Sequence, residues 1–216
     1  MNRIQGALTA TVVALCAAAC EGDDDLVTYR AALFQVNPQQ SMTTASGVVE
    51  VILHGEENLV ELSLRATGLD GVGHPSFLWS ADGCPSRAAD VNDDGIVDVV
   101  EGQVAYGGVL LTRDGDITSQ TIEAPGFPYG TAPLYGSTAN LLDVMDALDG
   151  PDPDEGDLFV SLVPGEPLEL DHRTIVIHGI SPQTLVARPH VTGMAGTGIA
   201  TSATVPILCG TLTRVP

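Results

Sequence analysis

Residues 59 to 66 alternate strictly: Val60, Leu62, Leu64 and Ala66 are apolar, and Glu61, Ser63 and Arg65 between them are polar. Only an extended strand, whose side chains point to opposite faces in turn, sorts such a run into one oily side and one wet side. The same period recurs upstream. Val27, Tyr29, Ala31 and Leu33 share one face of a first strand, and Asn37-Pro38 marks the turn that follows it. In residues 46 to 54, Val49, Val51 and Leu53 share one face while Val48, Glu50, Ile52 and His54 share the other; Gly55 to Asn58 then turns the chain. Three such strands in succession predict an antiparallel meander with one buried face.

Further strands are expected at residues 75–80, 105–111, 117–122, 157–163, 173–178 and 203–213, separated by turn signals. One short helix is expected among them, capped by Ser137, with Leu141, Met145 and Leu148 at i, i+4 and i+7 and Gly150 at its end. The fold class is therefore all-β: an antiparallel Greek-key β-sandwich or barrel with one short inserted helix. Composition agrees. The chain is 44% apolar, enough for a core, but only 4% aromatic and with 24 glycines, which suits turn-rich aliphatic β-structure and excludes collagen, coiled coil and wholesale disorder.

Twenty-eight acidic residues face eight arginines and no lysine, a formal net charge of −20. That sign excludes nucleic acid and anionic membrane surfaces as partners and favours cations. Residues 1–19 read as an export signal, with Arg3 ahead of an apolar stretch too short to span a bilayer. Ala17, Ala18 and Ala19 precede Cys20, resembling the bacterial lipobox, so Cys20 is the expected lipid anchor; plain cleavage after Ala19 is the alternative. Residues 20–25 then form an acidic tether and residues 26–216 a single domain. The destination is the cell envelope, reached by an exported lipoprotein that meets the membrane through its N-terminal lipid alone. Cys16 leaves with the signal, which leaves Cys84 and Cys209 in the folded body. Outside the cytosol these are expected to form a disulfide rather than stay free thiols. A bridge across so long a loop contributes about 4 to 5 kcal/mol on a loop-entropy argument.

The most specific motif spans residues 90 to 101. Asp90, Asn92, Asp94, Gly95 and Glu101 satisfy D-x-[DN]-x-[DN]-G-x5-E at every position, the spacing of a calcium loop. Calcium takes six to eight hard oxygens. Asp90, Asn92 and Asp94 would offer side-chain oxygens, Ile96 its carbonyl, Asp98 a direct or water-mediated contact and Glu101 a bidentate clamp, with Gly95 allowing the sharp turn. An acidic turn without an ion is the alternative. Cys84 and Pro85 leave no room for a full entering helix and Gly102 is expected to cut short any exiting one, so this is a structural ion and not a sensor. Residues 151–157 are also acidic, read either as a solvated loop or as a second cation site.

His172-Arg-Thr-Ile-Val-Ile-His178, followed later by Pro206-Ile-Leu-Cys209-Gly210, is similar to the end of copper/zinc superoxide dismutases. There the histidine binds copper and the cysteine before glycine closes a disulfide to the long metal loop; the resemblance gives Cys209 that role, with Cys84 where the partner is expected. Tyr29-Arg-Ala-Ala-Leu33, Ala45-Ser-Gly47 and Ala66-Thr-Gly-Leu69 look like the chordin-type domain of bacterial exported proteins. Both resemblances imply an antiparallel β-sandwich of superoxide dismutase-like type. The departures bear on function. Leu78 and Ser80 stand where dismutases carry a His-x-His pair, and the calcium loop occupies the place of the zinc histidines. His178 is left at a copper position, with His74 as a candidate second ligand; the alternative for His178 is a strand histidine satisfied by a carbonyl.

These readings point to a non-catalytic, calcium-stabilised, lipid-anchored module of the cell envelope that binds or scaffolds, with residues 82–157 as a long inserted loop region facing its partner. Two rivals stand beside it: a divergent copper-dependent superoxide dismutase, and a chordin-like domain that binds an extracellular protein or glycan.

Overall fold

The computed structural model describes residues 26–38, 44–113, 117–118, 127–149, 160, 162, 168–186, 190–194 and 198–216. Its strands are β1 (Leu26–Gln35), β2 (Ser46–His54), β3 (Leu59–Thr67), β4 (Ser76–Trp79), β5 (Val109–Thr112), β6 (Leu134–Asn140), β7 (Thr174–His178), β8 (Pro206–Thr211) and β9 (Thr213–Arg214). In space they run β5-β4-β7-β8-β1-β2-β3-β6, with β9 beside β1, and every pairing is antiparallel. The sheet curls into a half-barrel whose two edges are β5 and β6.

The expected meander, β1-β2-β3, lies in the half of this sheet that ends at β6. Val49 lies opposite Leu64 and Val51 opposite Leu62, so the alternation read from each strand meets that of its neighbour on the inner face. Strand β1 joins the halves: along most of its length it pairs with β2, and at Phe34 and Gln35 it pairs with Cys209 and Leu208 of β8. Gly210 sits at this crossing, where any Cβ would collide with the carbonyl oxygen of Ala32.

Two apolar layers result. Inside the half-barrel, Leu33, Val49, Val51, Leu62, Leu64, Leu78, Ile175, Ile177 and Leu208 make an aliphatic core. The other face of β4, β7 and β8 carries Phe77, Trp79, Val176 and Cys209, packed with Val97, Val99, Tyr106 and Met194 from outside the sheet.

Several boundaries differ from the sequence reading. Helix α1 (Val99–Tyr106) occupies the ground expected to open a strand at residue 105, and β5 begins only at Val109. Gly102 does not end that helix. It makes room for the Tyr106 ring, which would strike any side chain there, and Gly107, at φ 78°, ends the helix instead. Ser137 is not a cap but a residue of β6. Helix α2 (Leu141–Asp149) follows directly, with Asn140 Oδ1 accepting the Leu142 N–H at 2.8 Å. Its inward face is the expected one, with Leu148 buried and Leu141 and Met145 packed on the core. Residues 203 and 204 belong to a single helical turn, α4 (Thr201–Thr204), which stops there because Pro206 holds Val205 extended. A second short turn, α3 (Pro182–Leu185), precedes it. Within residues 82–157 lie α1, β5, β6 and α2. Ile117 and Thr118 form a turn. The remainder of the strand expected at 117–122, most of that at 157–163, and Gly150, residues 151–157, the signal, Cys20 and the tether lie outside the described residues.

Cys84 and Cys209 form the expected disulfide, with Cα atoms 5.7 Å apart across a sequence separation of 125.

Candidate functional site

The loop from Asp90 to Glu101 folds its short polar side chains onto its own backbone. Asp90 Oδ1 and Oδ2 accept the N–H groups of Asp94 and Gly95 at 3.1 and 2.9 Å. Asn92 Oδ1 accepts from Asp94 at 2.9 Å, and Asp94 Oδ1 from Ile96 at 2.9 Å. Such bonds, reaching two to five residues on, are what Asp and Asn do in tight turns. Gly95 takes φ 85° at the sixth position, as the motif requires.

Glu101 closes the loop. Its Oε1 accepts from Val91 at 3.0 Å and Asn92 at 3.3 Å, and its Oε2 from Asp98 at 3.0 Å. Asp98 in turn caps α1, its Oδ1 accepting the N–H groups of Val100 and Glu101, so the two carboxylates form a capping box. The remaining oxygen of Asp98 accepts the Thr192 N–H at 2.7 Å. Both acids are buried, and backbone N–H groups and the start of a helix compensate their charge. The tie from Asp98 to Thr192 gives this residue a bracing role that the motif does not announce.

Two tethers hold the loop to the sheet. Asn37 donates through Nδ2 to the carbonyls of Val97 and Pro206 at 2.9 and 2.8 Å, and its Oδ1 accepts the Val97 N–H at 2.8 Å. One side-chain amide thereby imitates a neighbouring strand for Val97 and links the loop to the ends of β1 and β8. The disulfide fixes the chain just upstream. Between them Val97 and Val99 enter the outer apolar layer and Ile96 the inner one. The hard oxygens of this closed turn have the chemistry calcium prefers. As they stand they serve the backbone: among the described residues no group of three or more His, Cys, Asp or Glu side chains converges as metal ligands would.

The two candidate copper histidines are both buried and have opposite surroundings. His74 has each ring nitrogen against a main-chain carbonyl, Nδ1 at 3.0 Å from His178 O and Nε2 at 2.9 Å from Asp70 O. With Asp70 Oδ2 accepting the Ser181 N–H at 2.6 Å, it clasps the turn after β7 to the turn before β4. His178 packs its ring against Phe77 and Trp79, with centroids 5.3 and 5.8 Å away. Neither of its ring nitrogens has a hydrogen-bond partner among the described residues. Burial pushes its pKa down to about 3, opposed by the nearby Pro75 and Val176 carbonyls, so the ring stays neutral at ordinary pH. The carbonyl-satisfied histidine expected at 178 is thus found at 74, and the pair meets through a carbonyl rather than through converging ring nitrogens. His172 and His190 are exposed, and His54 Nε2 lies 3.6 Å from Glu61.

No family model matches the chain, and no curated protein matches it. Among the described residues no helix is long and apolar enough to cross a membrane. Sequence reasoning missed Asn37, Thr192 and Tyr106. Asn37 reads as an ordinary turn residue, and nothing in its neighbours announces a partner sixty positions away. Tyr106, whose hydroxyl donates to Val99 O at 2.9 Å, reads as a strand residue until α1 is known.

Proposed function

We propose that the chain is a non-catalytic, calcium-stabilised binding or scaffolding module of the bacterial cell envelope, tethered by lipid at Cys20 and built on a superoxide dismutase-like Greek-key sandwich. The observation that carries this reading is the closed turn from Asp90 to Glu101, tied to the sheet by Asn37 and flanked by the disulfide. Asp90, Asn92, Asp94 and Glu101 would hold the ion, with the Ile96 carbonyl and Asp98 completing the set. Calcium would neutralise crowded carboxylates and lock the turn. The loop and α1 would then stand as a rigid cover over the outer layer of β4, β7 and β8, and present the surface that a partner meets. The half-barrel and the disulfide support the sandwich; a chordin-like binding role differs only in naming the partner as an extracellular protein or glycan.

A dismutase reading fares worse on geometry. His74 has both ring nitrogens against carbonyls, and the unpartnered nitrogens of His178 are packed within an aromatic layer, so the two rings do not converge on a shared ion.

Melting the purified chain in calcium and in excess EGTA tests the calcium site. With calcium at about 100 times its Kd, chelation should lower Tm by about 5 to 10 °C, and readdition should restore it. Glu101→Gln should melt alike in both. An identical melting curve for the wild type with and without chelator would remove the ion from this account, and dismutase activity with stoichiometric copper would remove the non-catalytic reading.

A further inference from the structure

The half-barrel is open between its edge strands, β5 and β6, and one side chain spans the opening. Arg113, immediately after β5, places its guanidinium carbon 4.7 Å from the centre of the Tyr135 ring on β6. The ring covers the face of the guanidinium and leaves its N–H edges to other partners. Arg113 is only 1% exposed, yet Nε, Nη1 and Nη2 have no hydrogen-bond partner among the described residues. The same holds for the hydroxyls of Tyr135 and of Ser137, which lies two positions on along the same strand.

A guanidinium can only donate, and both hydroxyls are able to donate, so the seam gathers donors that lack an acceptor among the described residues. Burial pulls the Arg113 pKa down to about 9, with Tyr135 opposing, which leaves the group charged at neutral pH. An enclosed cation without a counter-charge is disfavoured by several kcal/mol, and an oxygen anion placed on its fork is the strongest remedy. Behind the seam lies a small cavity bounded by Val51, Leu62, Leu111, Ile117, Val144 and Leu170. Its volume is about 30 Å³ and its walls are apolar. That is roughly twice the space one water needs, and because only Arg113 and Thr112 among its lining residues are polar, the rest of the cavity suits a short hydrocarbon better than a water.

We propose that the seam between β5 and β6 binds a short-chain aliphatic carboxylate, its head on Arg113 and the Tyr135 hydroxyl at the rim and its tail in the apolar cavity. The site is independent of the calcium loop. It makes the interior of the half-barrel a ligand compartment rather than only a core, and the charge pattern selects acids over their neutral amides.

Calorimetric titration of the full chain with acetate, butyrate and hexanoate tests this, with butyramide and chloride as controls. Butyrate should bind one to one and raise Tm, while butyramide and chloride do neither. Arg113→Met, which keeps the stem and removes the charge, should abolish binding. Tyr135→Phe, which keeps the stacked ring, should weaken it about tenfold, the worth of one hydrogen bond to a charged group, and carries the test should Arg113→Met fail to fold. Absence of binding by all three acids, an equal response to chloride or butyramide, or undiminished butyrate binding by Arg113→Met or by Tyr135→Phe would overturn the proposal.

Discussion

The two apolar layers on either side of β4, β7 and β8 are built on different terms. The inner layer is aliphatic and is filled chiefly by strands of the same sheet, where Leu78, Ile175, Ile177 and Leu208 face Val49, Val51, Leu62 and Leu64, with Ile96 of the loop and Leu148 of α2 added to them. The outer layer centres on the rings of Phe77, Trp79 and Tyr106, and holds Nδ1 and Nε2 of His178, Nε1 of Trp79 and Oγ1 of Thr174 without partners among the described residues. A curled sheet covers its own inside. Its outside is buried only where another stretch of chain is held against it, and here that stretch is the disulfide, the loop and α1. The inner layer therefore depends on how well its side chains fill space, and the outer layer on how firmly its cover is tied down.

Cutting the strongest tie should have the largest effect. Replacing both Cys84 and Cys209 with serine should lower unfolding stability in urea by about 4 to 5 kcal/mol, the worth of closing so long a loop. Fluorescence of Trp79 should shift to the red as its cover loosens. Leu64→Ala, in the inner layer, should lower stability by about 2 to 5 kcal/mol and leave the emission of the folded protein unchanged. If the two variants moved Trp79 alike, the layers would not be separable in this way. Asn37→Ala strands the backbone groups of Val97 and should lower stability by about 1 to 3 kcal/mol. It should also enlarge the response to chelator, because the loop then has one tie fewer.

The last effect builds up gradually, as a slope. His178 in the folded chain takes up a proton only near pH 3, whereas in the unfolded chain its usual pKa is about 6.5. Between these values the unfolded chain binds the extra proton, so acidification destabilises the fold by up to about 1.4 kcal/mol per pH unit, and this contribution is intact above pH 6.5. In His178→Leu that part of the acid sensitivity should vanish from urea melts taken between pH 6.5 and 4. An unchanged slope would place the acid sensitivity in the carboxylates instead.

What could be read in advance follows the same division. The meander was plain because alternation in β1, β2 and β3 is a local signal, and the loop because its donors sit within twelve residues. Strand β6 was invisible. Leu134 to Asn140 carries too little contrast between faces to declare itself, and becomes a strand by pairing residue for residue with β3, from Leu59 opposite Asn140 to Arg65 opposite Leu134. Helix α1 was hidden because exposed valines at 100 and 104 blur its apolar face, and because Gly102 looks like a breaker when it is a clearance for Tyr106. The surroundings of His178 were out of reach, since Phe77 and Trp79 come to it from a distant strand.

The place of β8 sets the order in which the molecule is completed. Residues 206–211 are made late, yet they lie in the middle of the sheet, between β7 and β1. Until they are in place, the ribbon β1-β2-β3-β6 and the ribbon β5-β4-β7 have nothing to join them, and Cys84 lacks its partner Cys209. A chain stopped before Pro206 would present the unpaired edges of β7 and β1 to its neighbours, so protection of these edges arrives with β8 rather than growing as the chain lengthens.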